Sequence, residues 1–231
     1  MEKLEKDAAL KIDFFGKEYT FERLNPFTVK ITSGVSQSFA SFSGELYVDM
    51  RKDFYEMPYL IKFKDALRIS PKSQLKFFLK LPLITKLILK SGEKSLEIDR
   101  HIEYNRKAWH GEVHRGTLCT YVEAEFAFDN PFKTQDALVP LRIVNRSDVP
   151  GEISKIVVEP ENLFLFKGDN GFFTNKVYIR VVSSNEFSVE YSIKTTNKAV
   201  NPQPIIDRKI SVARTVLTRF DKFGIARELG L

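Results

Sequence analysis

The chain has 231 residues, 43% of them hydrophobic, and a formal net charge of +6, enough length for one or two domains with real cores. The mild positive balance permits a nucleic-acid or other polyanionic partner without demanding one. A single cysteine, Cys119, excludes an internal disulfide and points to a reducing, cytoplasmic setting, while the acidic residues Glu2 and Glu5 argue against a secretory signal and no stretch is long and apolar enough for a transmembrane segment.

In chain order, Leu10 to Phe15, Tyr19 to Leu24 and Phe27 to Ile31 are short β-rich runs, broken at Gly16 and at Asn25-Pro26. Ser38 to Val48 follows as a further strand with a bend at Gly44. From Tyr59 to Ile69 the alternation is cleaner, with Tyr59, Ile61 and Phe63 on one side and Leu60, Lys62 and Lys64 on the other. Ser70-Pro71-Lys72-Ser73 makes a turn, after which Leu75, Phe77, Leu79 and Leu81 alternate with Lys76, Phe78 and Lys80 as far as Pro82. A helix over residues 73–90 competes, because Lys76 and Lys80 are four apart, but Pro82 in its interior would cost ~3 kcal/mol and decides for strand.

The segment 101–116 loses the pattern and reads as a polar connection between modules. The same grammar then resumes in Leu118 to Phe128, Ala137 to Val144, Ile153 to Val158, Leu163 to Lys167, Phe172 to Val182 and Phe187 to Thr195. Twenty phenylalanines supply an aromatic interior suited to sheets. In the basic tail 201–231, Ile206, Ile210, Ala213, Leu217 and Phe220 fall at helical spacing beside Arg208, Lys209, Arg214 and Arg219, which suits a short amphipathic helix or an extended arm. The expected fold is therefore mainly β: two antiparallel β-sandwich-like modules, 1–100 and 117–200, joined by 101–116 and followed by the tail.

The run Leu60-Ile61-Lys62-Phe63, the segment Ile69 to Ser73, and Phe77-Phe78-Leu79-Lys80-Leu81-Pro82 resemble a strand, a proline-containing turn and a strand ending in an apolar-Pro step. That order is similar to the family catalogued, mostly from archaea and thermophiles, as domain of unknown function 432. Gly111, Gly116, Leu118-Cys119-Thr120-Tyr121 and Leu141 to Asn145 resemble its later pattern, and the likeness covers the middle two-thirds of the chain. Trp109-His110-Gly111 departs from it. The resemblance implies no activity, so function has to come from sites.

Three constellations carry chemistry. His101, His110, His114 and Cys119 cluster in sequence, and imidazole plus thiolate ligands are what a transition metal takes. His110-Gly-Glu-Val-His114 is not the metalloprotease helix, since its glutamate is misplaced and Gly111 opposes a helix, and the plainer reading is an exposed loop. The second is the pair of alternating carboxylate sets, Glu123 with Glu125 and Glu159 with Glu161, which solvated faces explain more simply than acid–base catalysis. The third is a stripe of Lys62, Lys64, Lys76 and Lys80, placed on one side of two neighbouring strands with Phe78 among them. Interleaved cations and aromatic rings on a sheet bind polyanions, and the plainer role of such lysines is to keep sheets from pairing with one another.

No nucleophile elbow, dinucleotide turn or phosphate-cradling loop is present. The sequence thus favours a protein-interaction or assembly module over an enzyme, with a protein partner or a second copy. Polyanion binding through the Lys/Phe stripe and metal binding at the His/Cys cluster stand as alternatives, and no other cofactor is expected.

Overall fold

In the computed structural model the described residues are 1–5, 8–128, 134–168, 171–183 and 186–192, together with the strand segments Pro204–Ile206, Val216–Arg219 and Glu228–Leu229. Strands account for nearly all the regular structure, and the described residues contain no α-helix, only a short 3-10 turn at Pro160–Asn162. The chain forms two compact units that are interleaved along the sequence. Residues 1–53 and 84–103 make the first, and residues 54–83 and 104–231 make the second. A boundary at 101–116 would leave 54–83 with the N-terminal module, whereas these residues supply two strands to the second unit.

The first unit is a β-sandwich. One sheet has the order β1 (Glu2–Leu4), β6 (Leu46–Asp53), β9 (Ile84–Ser91), β10 (Lys94–His101); the other runs β2 (Ala9–Phe14), β3 (Lys17–Asn25), β4 (Thr28–Ser33), β5 (Ser36–Ser41). All their pairings are antiparallel. The period-2 alternation of each strand sends Leu46, Val48, Leu87 and Leu89 from one sheet against Phe14, Phe21, Val29 and Ile31 from the other. Each such fully buried side chain contributes about 1.5–3 kcal/mol. The expected single strand from Ser38 to Val48 is two, because Ser43 and Gly44 break it and its halves join different sheets. Residues 84–101, given no strand from sequence, form β9 and β10.

The second unit contains β7 (Tyr59–Ile69), β8 (Ser73–Leu81), β11 (Lys107–His110), β12 (Thr117–Glu123), β13 (Phe126–Ala127), β14 (Thr134–Asn145), β15 (Gly151–Val158), β16 (Leu165–Gly168), β17 (Gly171–Thr174), β18 (Val177–Ser183), β19 (Glu186–Tyr191), β20 (Pro204–Ile206), β21 (Val216–Arg219) and β22 (Glu228–Leu229). Its smaller sheet has the order β15-β7-β12-β11-β22, with β12 and β7 parallel. In the larger sheet β14 is the spine: β8 runs antiparallel along one edge, while β17 and then β18 run parallel along the other. Both sheets are therefore mixed, not purely antiparallel as expected.

The larger sheet forks where β17 gives way to β18, and the Phe172 to Val182 run is accordingly two strands. Pro140 lies on β14 between the last β17 partner, Leu138, and the first β18 partner, Leu141, a place where the ladder on one side is interrupted and a missing N–H is tolerated. The wholly buried Asn175 holds the fork open. Its side-chain oxygen accepts from the Phe164 N–H at 2.9 Å, and its amide donates to the carbonyls of Asn162 at 3.1 Å and Ser192 at 2.8 Å. The two sheets face each other through rings, with Phe63 on β7 and Phe77 on β8 packed edge to face at 6.3 Å.

Expected as a helix or arm, the tail is strand wherever it is described. Ile206 and Leu217, two of the residues at helical spacing, lie in β20 and β21. Ile210, Ala213 and Phe220, with Arg208, Lys209 and Arg214, lie outside the described residues.

Candidate polyanion-binding face

The lysine stripe divides between two sheets. Lys62 and Lys64 are exposed on β7, opposite Phe63, so they point away from the sandwich interior on the smaller sheet. Lys76, Phe78 and Lys80 point outward from β8 on the larger sheet, since Phe77, Leu79 and Leu81 between them are buried. Although β7 and β8 are consecutive, the turn at Ser70 to Ser73 carries the chain from one sheet to the other. Facing sheets present outer faces in opposite directions, so Lys62 and Lys64 do not join Lys76 and Phe78.

What gathers around Lys76 and Phe78 comes instead from strands distant in sequence. Lys76 pairs with Arg142 on β14, and Arg142 pairs in turn with Tyr178 on β18, giving one cross-strand row of two cations and a ring. Two residues along β8, about 6.6 Å away, Phe78 pairs with Pro140. The Lys176 ammonium lies 5.8 Å from the centre of the Tyr178 ring, close enough for a cation–π attraction. Directly opposed residues on neighbouring strands share a face. Lys76, Phe78, Pro140, Arg142 and Tyr178 therefore form one continuous surface, half-buried except for the exposed Lys76.

The charges on this face are unequal in freedom. Lys80 reaches Glu125 at 3.2 Å and Asp136 at 3.6 Å; burial works to lower its pKa, but the two carboxylates outweigh it and hold the ammonium above its ordinary value. Arg180 is paired with Glu190 at 2.9 Å. Arg142 is held by a neutral partner, its Nε donating to Oε1 of Gln74 at 3.0 Å, which orients the guanidinium and leaves its charge in place. Among the described residues Lys76, Arg142 and Lys176 make no ion pair.

The His/Cys cluster is divided between the two units. His101 belongs to the first unit, where it stacks on Phe15 with ring centres 3.6 Å apart. His110 lies on β11, His114 in the exposed turn after it, and Cys119 on β12, all in the second unit. The segment 101–116 is thus not wholly a connection. His110 and Cys119 share a sheet face, because Ala108 and Cys119 are partners and His110 is two residues beyond Ala108. Burial, with Glu159 nearby, pushes the Cys119 thiol up to about 11, opposite to what a thiolate ligand or nucleophile requires. Burial, and then the neighbouring Lys155, hold His110 below its ordinary value. Among the described residues no three His, Cys, Asp or Glu side chains gather as a metal site would need. The turn itself is packed tightly on Trp109, whose Nε1 donates to the Glu112 carbonyl at 3.0 Å, and a Cβ on Gly116 would fall 2.3 Å from that nitrogen.

The first carboxylate set, Glu123 with Glu125, is explained locally. Glu123 pairs with Arg106 at 2.9 Å while Glu125 pairs with Lys80, so the two serve different cations.

A family model described as "Protein of unknown function (DUF432)" matches residues 51–220. The chain belongs to this family. The match takes in β8, β14 and β18 and hence the whole basic and aromatic face, whereas β1 to β5 of the first unit lie outside it. Neither a curated protein nor a solved structure matches the chain.

Sequence reasoning found Lys76 and Phe78 but missed Arg142, Lys176 and Tyr178. The alternation of Arg142 and Val144 with Leu141 and Ile143 marks Arg142 as outward-facing. Nothing local says that it lies beside Lys76, sixty-six positions away in the chain.

Proposed function

We propose that this DUF432 protein is a binding module for single-stranded nucleic acid or a comparable polyanion, engaged on the outer face of its larger sheet. The observation that carries the reading is the cross-strand row Lys76–Arg142–Tyr178 beside Phe78, with Lys76, Arg142 and Lys176 free of ion pairs among the described residues. Cations on such a face neutralise phosphates, and half-exposed rings accept unstacked bases. Cytoplasmic location, suggested by the lone buried Cys119, is part of the reading; no helix among the described residues is long and apolar enough to cross a membrane.

Fluorescence anisotropy with a labelled oligonucleotide tests it. Three phosphate contacts on a single strand give a slope of log K against log salt of about −2. Replacing Lys76 and Arg142 together by Ala should weaken binding equally for all sequences and reduce that slope to about −0.7. No binding of the wild-type chain at low salt, or an unchanged slope in the double variant, would sink the proposal.

The second reading, a protein-interaction or assembly role, is favoured by large apolar side chains left exposed on the first unit: Phe15, Phe27, Val35 and Phe39 are between 54% and 102% exposed.

A further inference from the structure

Edge strands normally carry devices against pairing with another chain, and charge is the commonest of them. In this protein β2 has Lys11 and Asp13, β10 has Lys94, Glu97, Asp99 and Arg100, and β15 has Glu152 and Lys155. The edge strand β5, Ser36-Gln37-Ser38-Phe39-Ala40-Ser41, has no charge, no proline and no bulge. Its ring at Phe39 is 62% exposed, and Val35 at the hairpin tip is fully exposed.

The ladder phase of β5 follows from its turn. Gly34, at φ +58°, and Val35 make a two-residue loop of the type that puts glycine first, so the flanking pair Ser33 and Ser36 is hydrogen-bonded. Bonding then falls on every second residue, Ser36, Ser38 and Ala40, and the Phe42 N–H donating to the Phe27 carbonyl at 2.9 Å continues the series. The backbone groups of Gln37, Phe39 and Ser41 consequently face outward, away from β4.

We infer that β5 pairs antiparallel with β5 of a second copy of this chain, about a two-fold axis at Phe39. That register sets Phe39 opposite the partner's Phe39 and Gln37 opposite the partner's Ser41, so every outward-facing donor and acceptor of the strand meets its complement. Two four-stranded sheets become one continuous sheet. Directly opposed residues in such a pair lie on the same face with Cα atoms about 5.5 Å apart, so the two exposed Phe39 rings cover each other. Self-pairing also suits the absence of charge, because any lysine or glutamate near the axis would meet its own copy. The inference gives the assembly reading a specific surface and occupant, and it is independent of the polyanion face, which lies on the other unit.

Sedimentation equilibrium of the full chain tests it. The wild type is expected to shift with concentration from 26.7 kDa to twice that mass. Phe39→Lys, at an exposed position that leaves the bonds to β4 intact, places like charges across the axis and should hold the protein monomeric. Phe39→Glu alone should also be monomeric, and an equimolar mixture of the two variants should recover the dimer. The Lys76 and Arg142 double variant should dimerise as the wild type does. A wild-type chain that stays monomeric at millimolar loading, or a dimer that persists in Phe39→Lys, overturns the inference.

Discussion

At the scale of single residues, buried polar groups set how this protein answers substitution and pH. Asn175 satisfies three backbone groups at the fork of the larger sheet, so Asn175→Ala leaves a buried N–H and two carbonyls without that partner. The expected loss is about 3 kcal/mol by urea unfolding, and an unchanged midpoint would show that the fork does not depend on it. His110 makes the opposite demand of protons. Burial first, then Lys155, lowers its pKa below the ordinary 6.5, so the unfolded chain takes up the proton more readily than the folded one. This group's contribution to stability is complete above about pH 6.5 and is lost as pH falls toward the folded value. Stability measured on either side of that pH should decline less steeply on acidification in His110→Gln than in the wild type. Asp99 behaves as carboxylates usually do. Burial works to raise it, but the Tyr19 hydroxyl at 2.6 Å, the Lys17 ammonium at 3.1 Å and the Arg100 N–H at 2.8 Å outweigh that and hold it low. Its contribution stands above the ordinary carboxylate range and disappears only in stronger acid.

At the scale of elements, β14 and β5 are opposites. The spine β14 has three strand partners and a run of fully buried side chains at Ala137, Val139 and Ile143. Its amides should be among the slowest to exchange with solvent, opening only with the whole second unit. In dilute solution β5 should show an alternating pattern, with Ser38 and Ala40 protected and Gln37, Phe39 and Ser41 open; concentrated solution should protect the second set as well. Uniform exchange along β5 in dilute solution would contradict the ladder phase assigned to it. The elements also show where sequence reading succeeded. Tyr59 to Ile69 and Leu75 to Leu81 were legible as strands because alternation and the proline at 82 are local signals. That they join different sheets was not legible, because a short turn serves a hairpin and a sheet-to-sheet corner equally well. Ile84–Ser91 was obscured by its own composition: Ile84, Thr85, Leu87, Ile88 and Leu89 are all buried, so the alternation that marks a half-exposed strand is missing.

At the scale of the whole molecule, the interleaving of the two units decides what can fold alone. A fragment of residues 104–231 lacks β7, the strand between β15 and β12, and β8, the antiparallel partner of β14. It should be unfolded by circular dichroism. The first unit is separable, because Asp53 and Ile84 are opposed partners in the β6–β9 ladder and a two-residue Asn-Gly turn can join them. Residues 1–53 so linked to 84–103 retain both sheets and the entire cluster around Phe21 and Val29, and should fold cooperatively. A molten product would mean that the sandwich needs the remainder of the chain. By itself the sequence determined the β character of the protein, the positions of most strands, the face of β8 on which Lys76 and Phe78 lie, and membership of the DUF432 pattern, since these rest on alternation, turn residues and local order. Only the tertiary structure decided which strands are neighbours: that Lys62 parts from Lys76, that Arg142 and Tyr178 replace it, and that His101 and Cys119 lie in different units. The reason is that side-chain period fixes a face from neighbours in the chain, whereas strand partners and register are chosen by packing between segments that the sequence sets far apart.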